Sequence, residues 1–100
     1  MYGLSEQSYK ELIEILASIP EIEEARIFGS RARGDYWNTS DIDLSLKGNR
    51  LNRHILPILN DRLYESNIPY FCDTHIYADI KNPQFRANVD RDGKVIYQRK

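Results

Sequence analysis

The chain has 100 residues, 41% of them apolar, and 14 basic against 15 acidic side chains leave a formal net charge of -1. So even a balance, with no run of Lys or Arg, excludes a track that holds a long nucleic acid by bulk electrostatics. A single cysteine excludes an internal disulfide, and together with the lack of an apolar run of membrane length and of a leader-like N-terminus it points to a cytoplasmic, non-membrane protein.

The first predicted element is a helix in "SEQSYKELIEILAS", where Tyr9, Leu12, Ile13 and Leu16 recur at helical spacing behind Ser5 as N-cap. Pro20 closes it, and "EEARIF", ending at Phe28, reads as a first strand. "SRARG" begins a short helix. From Asp41 to Leu46 the pattern alternates strictly, with Asp41, Asp43 and Ser45 on one side and Ile42, Leu44 and Leu46 on the other, which predicts a strand with one buried face. "RLNRHILPILNDRLYES" is helical in period, with a kink or restart expected at Pro57. "IPYFCDTHIYA" predicts a further strand, and Asn82-Pro83 opens a last short helix as cap and first-turn proline. Asp92-Gly93 reads as a turn before "KVIYQ", a short strand or extended tail. Helices alternating with strands over this length imply one α/β (α+β) domain, residues 1–100, with a small mixed sheet flanked by helices. Such a chain buries only about 60–65% of its unfolded surface, so its thin core invites a partner or a second copy of itself.

Two stretches carry chemistry. Gly29-Ser30 lies where the first strand meets the short helix, and free N–H groups there, the Ser30 hydroxyl, and Arg31 or Arg33 could bind an anion. The same residues also read as a tight turn capped by Ser30, with both arginines in solvent. The lysine and longer glycine spacing of a P-loop are absent. In "SDIDL", Asp41 and Asp43 share a strand face with Cβ atoms roughly 6.5–7 Å apart. Two carboxylates so placed either decorate a solvated edge or repel until a hard cation such as Mg²⁺ bridges them. Asp73, in the apolar and aromatic "YFCDTHIY", favours the second reading, because a lone carboxylate there needs a partner. If the two strands pair, three carboxylates can converge, and a two-metal site becomes possible. His75 lies on Asp73's side of its strand, where it can approach the site or cover an apolar face. Tyr36 and Trp37, in the preceding loop, can stack on a base or seal a corner. Cys72 alternates toward the core as packing, and His54 has no assigned role.

Gly29-Ser30, ten intervening residues, Asp41-x-Asp43 and a third aspartate on a later strand resemble the DNA polymerase beta-like nucleotidyltransferase superfamily. "GSRARGD" with "SDIDL" is similar to its minimal members, the MNT or MntA proteins, over roughly Glu6 to Tyr97. The resemblance implies the nucleotidyltransferase fold and a Mg²⁺-dependent transfer, with one or two ions, of AMP from ATP to a hydroxyl. It places Asp41, Asp43 and Asp73 at the metals as catalytic residues, and Gly29 and Ser30, with Arg31 and Arg33 less defined, at the triphosphate. It further implies an antitoxin whose partner is an all-helical HEPN-domain toxin encoded nearby and modified on a tyrosine. The alternative is a non-catalytic subunit that neutralises or supports such a partner by covering it. A small-molecule transferase of antibiotic-modifying type would need more pocket wall than 100 residues easily supply.

Overall fold

The computed structural model describes residues 1–100. Helix α1 (Glu6–Ala17) starts where expected, the Ser5 hydroxyl accepting from the Ser8 N–H at 3.0 Å. It leads into β1 (Glu24–Phe28), the one-turn α2 (Gly29–Arg33), β2 (Ile42–Lys47), α3 (Ile55–Tyr64) and β3 (Cys72–Ile76). A 3₁₀ turn (Tyr77–Asp79), α4 (Pro83–Asp92) and β4 (Lys94–Gln98) complete the chain. The sheet order is β3-β2-β1-β4, with β2 and β3 parallel and the other pairs antiparallel. This is the mixed, helix-flanked sheet expected of a nucleotidyltransferase.

The alternation in β2 decides which face meets which helices. Ile42, Leu44 and Leu46 are fully buried with Ala25 and Ile27 of β1 against Leu12 and Leu16 of α1 and Leu59 and Leu63 of α3. Asp43 and Ser45 point to the opposite face, where Phe85 of α4 packs on Phe28. Burial of the first set, at about 25 cal/mol per Å² of apolar area, is the main force holding sheet to helices.

Several local expectations need correction. β2 begins at Ile42, so Asp41 precedes the strand, and Ser45 is 2% exposed, so this central strand is covered on both faces at that point. α3 starts at Ile55 behind His54, which puts Pro57 in the first turn, where its missing N–H would have had no intrahelical partner; no kink follows. Asp92-Gly93 is no free turn. Gly93 terminates α4, its N–H donating to Val89 O at 2.8 Å, and β4 pairs with β1 at once. Asn82 caps α4 as expected, accepting from the Gln84 and Phe85 N–H groups. Cys72 lies in the core, and burial, reinforced by Asp41 and opposed by Arg31, pushes its thiol up to about 12. It is packing, not a nucleophile. No helix is long and apolar enough to cross a membrane.

Candidate active site

The site is assembled at the ends of three strands. β1 ends at Phe28, in register with Asp43, and the chain turns at once into α2 through Gly29. Gly29 has φ +73°, a left-handed conformation that a side chain disfavours, and a Cβ there would overlap Asp43 Oδ2. The glycine thus serves two ends, the sharp strand-to-helix turn and contact of the backbone with a carboxylate. Replacing Gly29 by Ala is expected to destabilise the fold by about 1–2 kcal/mol, the ordinary price of a left-handed residue. It should also weaken Mg²⁺–ATP binding by displacing Asp43. Thermal melting and calorimetry check the two parts separately.

α2 has no side-chain cap. Its N-cap position is Phe28, so the reading of Ser30 as a helix cap is incorrect. Ser30 is the second residue of the helix and half-buried beside the uncapped first turn.

On the neighbouring strand the parallel register sets Asp73 directly beside Asp43. Paired residues of adjacent strands share a face, so the expected convergence of these two carboxylates is present. Asp43 is half-buried, and its carboxyl is raised above the usual range, first by burial, then by the charge of Asp73, then by that of Asp41; His75 and Arg33 partly oppose this. Asp41 is exposed at the mouth of β2. The donors are hard oxygens carrying more negative charge than their surroundings balance, which suits a divalent cation of the Mg²⁺ type. The three carboxylates do not stand as a ready three-ligand cluster, however. Asp73 Oδ2 is engaged by His75 Nε2 at 3.0 Å, which leaves Oδ1 for a further partner.

The two arginines part company. Arg31 is 1% exposed, and neither expectation for it, phosphate ligand or solvent-facing residue, holds. Its Nε and Nη2 donate to Ser40 O at 3.0 and 2.8 Å, and its Nη1 donates to Tyr2 O at 2.9 Å. Its guanidinium also lies over the rings of Tyr70 and Tyr36, 4.2 and 5.2 Å from their centroids. Arg31 is a buried tie between the N-terminus, the loop before Asp41 and the loop before β3. Arg33 is exposed and pairs with Asp35 at 3.2 Å and Asp92 at 3.4 Å, joining α2 to the end of α4 at the rim of the site.

Sequence reasoning left the role of His75 open and passed over Phe85. His75 bonds Asp73, and Phe85 packs its ring 5.2 Å from the imidazole. The signal for His75 was the spacing of two that shares a strand face; Phe85 had none, because only the fold brings α4 here. Trp37 is 80% exposed and seals no corner, whereas Tyr36 is packed by Arg31.

Comparison with known proteins identifies the family and the fold. Residues 10–100 match the family described as polymerase beta, nucleotidyltransferase. The chain belongs to this nucleotidyltransferase family. A protein of Methanocaldococcus jannaschii named "Putative protein adenylyltransferase" is 28% identical over 97 residues, covering 92% of this chain and 97% of the relative. Among solved structures, a toxin–antitoxin with AMP-PNP superposes with a TM-score of 0.74 at 20% identity, over 92% of this chain and 74% of the other. A mutant of the toxin–antitoxin MntA–HpeT gives 0.69 at 21% identity, over 97% and 75%. These likenesses establish the fold of the nucleotidyltransferase; the minimal nucleotidyltransferase resemblance is the one read from "GSRARGD" and "SDIDL".

Proposed function

We propose that this nucleotidyltransferase moves AMP from ATP onto a tyrosine hydroxyl of a cognate all-helical HEPN-domain partner, acting as the antitoxin of the pair. The observation that carries the reading is the contact of the Gly29 backbone with Asp43, with Asp73 in register alongside. The M. jannaschii relative's name, a protein adenylyltransferase, and the shared fold with a toxin–antitoxin that holds AMP-PNP support donor and context.

Asp41 and Asp43, joined by Asp73, would hold Mg²⁺, which would neutralise triphosphate charge and make the acceptor hydroxyl more acidic. The chain's own residues do the rest. The first N–H groups of α2 and the Ser30 hydroxyl donate to phosphate oxygens and orient the triphosphate for in-line attack. Asp73, open to solvent on one side, accepts the tyrosine proton as the tyrosine oxygen bonds to the α-phosphorus. The bond from that phosphorus to the β-phosphate oxygen breaks, and pyrophosphate leaves. The edge position of β3 keeps Asp73 accessible to a residue presented by another protein.

The test is transfer of label from α-labelled ATP in the presence of Mg²⁺ and the helical protein encoded beside this one. Label on a partner tyrosine, with loss of the partner's toxicity, is expected. Neutralisation by binding, with no label transferred, would replace this reading by the non-catalytic one.

A further inference from the structure

The imidazole of His75 is held at the site by two aromatic rings. It projects from β3 two residues beyond Asp73, on the same face, and is wedged between Phe28 of β1 and Phe85 of α4 at centroid distances of 5.9 and 5.2 Å. Those two phenyl rings meet edge-on at 5.7 Å, closing a triangle of three rings from three elements. Phe28 is also the residue before Gly29 and the register partner of Asp43. The aromatic wedge and the carboxylate pair are therefore built on the same strand ends.

Asp73, by contrast, has a side chain 48% exposed, against 31% for His75. A half-exposed aspartate left alone samples several rotamers. An ionised carboxylate can only accept, so Nε2 carries the proton and donates to Oδ2, leaving Oδ1 for another partner. Carboxylates that bind metal are ordinarily held in this way by a second hydrogen bond, and removing it costs roughly 10–100-fold in affinity or rate.

We propose that His75 is a positioning residue, anchored by Phe28 and Phe85, whose Nε2–H fixes the Asp73 carboxylate so that its free oxygen serves ion and acceptor. The inference rests on the nucleotidyl-transfer reading above and assigns His75 no contact with the reacting atoms. Two substitutions separate hydrogen bond from packing. His75→Phe keeps an aromatic ring in the wedge and loses the donor, whereas His75→Gln places an amide N–H near the position of Nε2.

The experiment measures Mn²⁺ binding, by the paramagnetic signal of the free ion, and steady-state transfer kinetics on the full chain. For His75→Phe, Mn²⁺ affinity and kcat are each expected to fall roughly 10–100-fold, with KM for ATP changed less than about twofold. His75→Gln is expected to recover both to within about fivefold of wild type. Unchanged binding and kcat in His75→Phe would overturn the proposal, as would equal impairment of the Phe and Gln variants. Asp43→Asn is the control for the underlying reading: if it binds Mn²⁺ as wild type does, the carboxylate site itself is wrong and both inferences fall. Loss in Asp43→Asn with wild-type behaviour in His75→Phe overturns only the role of His75.

Discussion

Changing Asp43 to Asn is expected to remove nucleotidyl transfer, by roughly 10³-fold or more, while making the metal-free protein more stable. Both effects have one origin. Asp43 is half-buried beside Asp73 and near Asp41, and its carboxyl is raised by burial and by those two charges. A group whose folded pKa lies above its unfolded value of about 3.9 contributes stability below that value and loses it as pH rises through the folded pKa. At neutral pH the wild-type chain therefore carries a repulsion that asparagine does not. Like charges at adjacent strand positions are worth about 0.5–1 kcal/mol, or ~2–8 °C in a domain of this size. In EDTA, Asp43→Asn should melt higher than wild type at pH 7, and the difference should shrink toward pH 4. Added Mg²⁺ should raise the melting temperature of wild type and leave the variant unmoved, since only a form that binds the ion gains by mass action. Equal stability of the two proteins in EDTA at pH 7 would show that the charges are already balanced by other groups.

The largest stability effect is expected away from the chemistry, at Arg31. Its guanidinium donates to the carbonyls of Ser40 and Tyr2 and is sandwiched with Tyr70 and Tyr36. Arg31→Met keeps the apolar stem and leaves those part-buried carbonyls without their charged donor. Loss of a buried, charge-assisted network of this kind costs about 3–5 kcal/mol, a large part of the ~5–15 kcal/mol available to 100 residues. Arg31→Lys should lose about 2 kcal/mol, because one ammonium cannot reproduce the planar fork that reaches Ser40 O through two nitrogens. The urea midpoint should move down by roughly 2 M for Met, at a slope of ~1–2 kcal/mol per M. An unchanged midpoint with weakened nucleotide binding would return Arg31 to the phosphate.

Arg31 carries no local signal of its burial. Its acceptors lie 29 residues before and nine after it, and one of its rings belongs to Tyr70. The features that were legible are those whose cause is local. Ser5 and Asn82 cap helices because their side chains reach an N–H two or three residues on. The faces of β2 follow from alternation within six residues. Pro57 was misread because the same residue breaks a helix interior and suits its first turn, and only packing sets the boundary. The pairing of Asp43 with Asp73 stood between these cases. Sequence could say that each carboxylate needed company, but the register of two strands 30 residues apart belongs to the folded sheet.

That register gives the site a parity. β3 presents Asp73 and His75 to one side of the sheet and Cys72, buried with the core cluster, to the other, with Ile76 also buried. Shifting β3 by one residue against β2 would turn the carboxylate toward α1 and α3 and bring a core residue into the cleft. Shifting it by two would preserve the faces and set a different residue beside Asp43. An inserted residue between α3 and β3 can be absorbed by the connection while the strand keeps its odd and even places. The same insertion inside β3 would interchange them, converting a site of charged groups into an apolar patch without altering a single side chain's chemistry.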